Sequence, residues 1–220
     1  MRRIGIVVAG LVAVTSLPLA AQRAALREVR DRGSAGLSLV VGQPWGDFKR
    51  NGDVAAGVNV FGVTGRTLGV RIEGAYFGYD AEYQGYGVST TSSIGSLAAG
   101  PQLTIGQGAL RLYAFATLGG SLFWSAVSHD GCGCYDDDVF FLEGDFTTNR
   151  STGTGLLLTV SSRRTPIMVD LGVREVRHDR VSYVPADGLS QNPDGTYSAQ
   201  RVETPVGMRV WHLGVTIGIR

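Results

Sequence analysis

Three histidines, two cysteines and a run of aspartates are the side chains whose types and spacing could do chemistry. His129 and His178 are each followed by an aspartate, Asp130 and Asp179, and Ser128 precedes His129. A histidine steered by a carboxylate can act as a general base, and a serine hydroxyl is a natural target for such a base. Neighbours on an extended chain point to opposite faces, so an adjacent His-Asp pair makes a poor relay. Both pairs sit in polar stretches, and loop polarity accounts for them. Cys132 and Cys134 lie in Asp130-Gly131-Cys132-Gly133-Cys134-Tyr135, followed by Asp136, Asp137 and Asp138. An oxidising compartment favours a disulfide between them, although so tight a ring is strained and readily reduced. Two thiolates beside carboxylates could instead hold a metal, but the paired spacing of a zinc site is missing. Asp130 and Asp136 to Asp138 could gather Ca²⁺ through oxygen ligands. They lack the alternation and the glycine of a calcium loop, and a solvated acidic loop is the expectation. No catalytic, cofactor-binding or metal residue is therefore assigned.

The elements that position these groups begin with an export signal. Met1-Arg2-Arg3 is followed by an uncharged apolar run from Ile4 to Leu17, then Pro18 and Leu19-Ala20-Ala21. A positive start, an apolar stretch and a small-residue cleavage site make a secretory signal peptide over residues 1–21. A membrane helix would need about 20 apolar residues, and this run ends at the proline. The whole chain has 20 basic and 19 acidic residues; without Arg2 and Arg3 the balance is 18 to 19, a formal charge of −1. So neutral a chain has no field for capturing nucleic acid. Gln22 to Arg32 is short and arginine-rich, and residues 22–35 are expected to form a periplasmic lead.

From residue 36 to the end, alternation with a period of two recurs. It is clearest at Leu68, Val70, Ile72, Gly74 and Tyr76; at Leu110, Leu112, Ala114, Ala116 and Leu118; at Ile167, Val169, Leu171 and Val173; and at Trp211, Leu213, Val215, Ile217 and Ile219. Weaker versions lie at 36–42, 54–61, 97–105 and 152–160, about eight strands in all. The connections at 63–66, 106–108 and 161–165 are short, whereas those at 44–53, 80–93, 125–145 and 178–205 are long and polar. This predicts an all-β, up-and-down antiparallel barrel with short turns at one end and long loops at the other.

Alternation alone leaves open which face is outside. A secreted soluble barrel for an apolar ligand would keep its aliphatic face inside. The opposing face here is small and sparsely charged, at Arg71, Glu73, Arg111, Asp170 and Arg174, rather than dense in Lys and Glu; Lys49 is the only lysine. In a membrane each basic group facing lipid would cost ~2–4 kcal/mol near the midplane. Those five residues are therefore expected to form an inward polar network, with His212 packed on the same side. About eight strands enclose only enough space for side chains, so a plugged lumen is expected. Of the aromatics near the strand ends, Tyr76, Phe77, Tyr79, Phe123, Trp124 and Trp211, the outward members would form an interfacial girdle.

The signal ending Leu19-Ala20-Ala21, the four long connections and the closing strand Trp211-His212-Leu213-Gly214-Val215-Thr216-Ile217-Gly218-Ile219 resemble the outer-membrane β-barrel family. That family includes the small OmpA-type, OmpX-type and opacity-type barrels. The chain departs from it in ending on Arg220 where such proteins usually carry an aromatic. The resemblance implies a cell outer-membrane location, a monomer, and outer-membrane lipid, lipopolysaccharide, the barrel-assembly machinery and an external surface ligand as partners. It implies a non-enzymatic role carried by extracellular loops, with a small lipid-modifying enzyme of acyltransferase or deacylase type as the alternative. No cofactor is expected.

Cleavage after Ala21 should leave a mature chain that starts at Gln22. Intact-mass measurement of the envelope form checks this, and a species retaining Arg2 and Arg3 contradicts it.

Overall fold

β-Branched and aliphatic residues at every second position favour extended chain, because a half-buried pleated surface suits them. The computed structural model describes residues 32–50, 54–84, 88–106, 108–129, 139–161, 165–183, 189–192 and 197–219. The expected signal peptide, Cys132, Cys134 and Asp130 lie outside these residues. The strands are β1 (Gly33–Trp45), β2 (Ala55–Thr64), β3 (Leu68–Gln84), β4 (Val88–Ile105), β5 (Leu110–His129), β6 (Val139–Ser161), β7 (Ile167–Tyr183), β8 (Leu189–Gln191), β9 (Tyr197–Ala199) and β10 (Val202–Ile219). Eight of them close a barrel in the order β1-β10-β7-β6-β5-β4-β3-β2, every pair antiparallel. β8 and β9 form a separate hairpin between β7 and β10. β1 starts at Gly33, which pairs with both Ile219 and Thr64, so the barrel claims the last residues of the expected 22–35 lead.

Short turns join β2 to β3, β4 to β5 and β6 to β7. Gly65 at the first of these has a φ of 82°, a left-handed conformation that costs glycine nothing and a side-chain-bearing residue a good deal.

The register sets the barrel's shape. Paired residues lead from Leu68 through Leu103, Ala114, Thr154, Val173, Trp211, Val41 and Ala56 back to β3 at Gly78. The path returns ten residues from its start, which is the stagger of the barrel. With that stagger eight strands tilt by about 40°, so height rises about 2.5 Å per residue and about 3 Å per strand.

The outward positions carry Leu37, Leu39, Val60, Val70, Ile72, Leu97, Leu112, Leu118, Leu213 and Val215, all exposed. The inward positions carry Ser38, Asn59, Arg71, Glu73, Gln102, Thr117, Asp170 and Thr216, all buried. Leu213, which a soluble barrel would place inside, is 55% exposed. An apolar band that encircles the molecule exceeds by far the patches tolerated in water, and its height of about 25 Å matches the hydrocarbon belt of a transmembrane barrel.

The strands run further than the alternation predicts. β3 continues to Gln84 and β4 begins at Val88, so most of the expected 80–93 loop is strand. β5 extends to His129 and β6 starts at Val139, which shortens the expected 125–145 loop. β7 reaches Tyr183 and β10 starts at Val202, and a 3-10 turn, Gly46–Arg50, occupies the middle of the 44–53 stretch. Two causes hid these extensions. Register shifts at Tyr79/Ala81, Phe123/Ser125 and Pro205/Val206 break the period of two, as bulges do. Above the band the polarity also inverts. Val40, Phe77, Ile94, Val176, Met208 and Val210 turn inward with Phe48, while Arg150, Glu175, Arg177 and Arg209 turn outward. The aromatics divide accordingly: Tyr76 and Trp211 are exposed, whereas Phe77, Tyr79 and Phe123 are buried.

Leu213 lies about 10 Å above the level of Leu68, near mid-belt. Leu213→Arg should destabilise the barrel by ~2–4 kcal/mol, measured by reversible unfolding in lipid vesicles. A native chain that stays folded and monomeric without lipid or detergent would contradict the lipid-facing assignment.

Candidate functional site

Position parity puts Arg71 and Glu73 on the inward face of β3, two residues apart, and the stagger brings β5 and β7 to meet them. Arg71 is 1% exposed. Its Nε donates to Glu73 Oε2 at 2.8 Å and its guanidinium to Gln102 Oε1 at 3.2 Å. The guanidinium lies between the rings of Phe61 and Phe115, 4.0 and 4.4 Å from their centroids, which favours a cation by the ring quadrupole. Arg174 reaches the same Glu73 Oε2 from β7 at 2.9 Å and Asn59 Oδ1 at 3.4 Å. Thr117 donates to Glu73 Oε1 at 3.2 Å or shares its proton with Ser151 at 2.6 Å. One carboxylate thus bridges two arginines.

Asp170, expected in the same network, sits in a neighbouring group. Tyr113 donates its hydroxyl proton to Asp170 Oδ1 at 2.6 Å. With that proton committed, the tyrosine oxygen accepts from His212 Nε2–H at 2.7 Å, which fixes the histidine tautomer. The rings of Tyr113 and His212 are stacked. Arg111, inward by parity with Tyr113, is half-buried and is not without a partner. Among the fully buried groups Arg71 and Arg174 are matched in number by Glu73 and Asp170, which offsets part of the cost of burying charge in a low-dielectric interior.

Above these groups the lumen is filled by an apolar cluster that includes Val40, Phe77, Ile94, Phe123, Val206 and Met208. Phe48 enters it from the 3-10 turn with no exposed surface and meets Tyr79 and Tyr183 edge-on, at 5.5 and 5.4 Å between centroids.

Of the two histidines with aspartate neighbours, His178 meets no serine among the described residues. His178 is buried in the apolar cluster, edge-on to Phe123, with Nδ1 3.3 Å from the Val206 carbonyl. Asp179 points to the opposite, exposed face, where it accepts from Thr148. The side chain of His129 and the Cys132–Cys134 pair lie outside the described residues. Sequence reasoning passed over Asn59, Gln102, Tyr113 and Thr117 as partners in the lumen. Tyr113 and Thr117 share the parity of Arg111, and that was the available signal.

An even number of antiparallel strands, closure, short turns at one end and an apolar belt make up the architecture of outer-membrane barrels, and the outer membrane is the location of this one. The sequence matches no protein-family profile and no curated protein. Solved structures similar to this chain include the attachment invasion locus protein Ail of Yersinia pestis, at 15% identity over 86% of this chain and 99% of that one, with a TM-score of 0.48. Neisserial surface protein A is similar at 14% identity over 85% and 97%, with a TM-score of 0.45. The N-terminal β-barrel domain of Pseudomonas aeruginosa OprF is similar at 10% identity over 85% and 99%, with a TM-score of 0.42.

Glu73→Gln leaves Arg71 and Arg174 facing each other without their shared anion. It should destabilise the barrel by about 3–5 kcal/mol, read as a lowered urea midpoint in lipid vesicles. An unchanged midpoint would show that the bridge contributes nothing.

Proposed function

We propose that the protein is a sealed, non-enzymatic barrel that anchors in the outer membrane and works through its outer end. The supporting observation is the closed lumen. Phe48 stoppers an apolar cluster, and beneath it the ion-paired arginines fill the interior. Among the described residues these side chains occupy the lumen from the apolar cluster down to the ion pairs. The connections at the outer end and the β8–β9 hairpin are what remain to meet other molecules. The partners of this reading are outer-membrane lipid and lipopolysaccharide, an external surface ligand, and the barrel-assembly machinery during insertion; the working form is a monomer.

A lipid-modifying enzyme would need a base open to the membrane face. The imidazoles of His178 and His212 are instead enclosed by the barrel wall, and their contacts are with their neighbours in the lumen.

The test is the full mature chain refolded into vesicles that carry fatty-acid-labelled phospholipid and an entrapped sugar. The expected result is neither sugar release nor labelled fatty-acid release above protein-free vesicles. Persistent sugar release would overturn the sealed barrel, and sustained fatty-acid release would establish the enzyme.

A further inference from the structure

Just above the apolar belt, the outward face of three adjacent strands carries Arg150 on β6, Arg177 on β7 and Arg209 on β10. The stagger places them within about 3 Å of one height, about 20 Å above the level of Leu68. Arg150 is the direct cross-strand partner of Arg177, a juxtaposition of like charges that costs stability unless something negative lies across it. Glu175 lies among them, 2.9 Å from Arg209 and 3.6 Å from Arg177. Three guanidiniums against Glu175 and against Asp179, one step above Arg177 on the same face where it accepts from Thr148, leave an excess of one positive charge on this wall.

Arg177 is also held in place. Its guanidinium lies 4.9 Å from the centroid of the Trp45 ring, and that ring packs over Gly207, where a Cβ would come within 2.7 Å of the indole. A planar guanidinium fixed in this way is suited to phosphate oxygens, which it can grip with two parallel donors. At the same height, the opposite wall presents Val58, Tyr76, Leu97 and Leu118, all uncharged and exposed. The basic group is therefore confined to one side of the barrel. Directly below it lie Trp211, Val173 and Leu213, part of the apolar surface of the belt.

We infer that this wall is a binding site for a phosphorylated lipid of the outer leaflet. Its phosphates lie among Arg150, Arg177 and Arg209, and its acyl chains run down over Trp211 and Leu213. A free anion would use the arginines but not the apolar surface beneath them; the lipid uses both. The inference rests on the membrane-anchored reading above, but not on the sealed lumen or the outer-end connections. Loss of this site would leave the vesicle-release result unchanged.

The test is native mass spectrometry of the folded full mature chain in a neutral glycoside detergent. The probes are bisphosphorylated lipid A, the same lipid dephosphorylated, and inorganic phosphate as competitor. Wild type should retain the phosphorylated form about ten-fold better or more, and the combined Arg150→Gln, Arg177→Gln, Arg209→Gln variant should lose most of that preference, at about five-fold per arginine. Glu175→Gln should increase retention. Heat-dependent gel mobility identifies the folded fraction, and Arg209→Gln alone, with a smaller loss, serves if the triple variant does not fold. Equal retention of the two lipids, or equal preference in wild type and variants, overturns the site. Displacement of lipid A by low-millimolar phosphate overturns the lipid as its occupant.

Discussion

Every backbone N–H and C=O that enters hydrocarbon must find a partner within the protein, because lipid offers none and each orphan costs several kcal/mol. A sheet meets that demand only by closing on itself. Here closure joins β1 to both β10 and β2, and the ten-residue stagger follows from the pairing around the ring. That stagger decides which inward side chains meet. Glu73 on β3 reaches Arg174 on β7, 101 positions later in the chain, because tilt lets the interior side chains of distant strands converge.

The interior that closure creates is too narrow for bulk water, so its polar groups must satisfy one another. The bridging of two arginines by Glu73, and the use of Asp170 by Tyr113, are solutions to that requirement. The groups look like acid-base chemistry when read one by one. Together they engage one another, with Asp170 Oδ2 and Arg174 Nε left over, and they tie β3, β5, β7 and β10 across the lumen. Above them the interior is apolar and the requirement lapses.

The belt was readable in the chain because period two is a local property: Leu213 and Val215 share a face whatever the register. The same holds for Arg71 and Glu73, which lie two apart on one strand. The meeting of Glu73 with Arg174, and of Asp170 with Tyr113 and His212, depends on register summed over several strand pairs, which no local pattern encodes. The upper strand segments escaped notice for another reason. Ser89 to Ser93 is rich in hydroxyls and contains the register shift opposite Tyr79 and Ala81, which breaks the alternation there.

The one-sided arginine belt has a mechanical consequence. A barrel with a uniform girdle can rock in any direction at equal cost. In this one, leaning toward β6, β7 and β10 would drag Arg150, Arg177 and Arg209 below the waterline, whereas leaning the other way takes only the uncharged Val58, Leu97 and Leu118 deeper into lipid. The restoring force is therefore uneven. The molecule has a preferred heel as well as a preferred draught, and whatever its outer end presents is presented at a set angle to the cell surface.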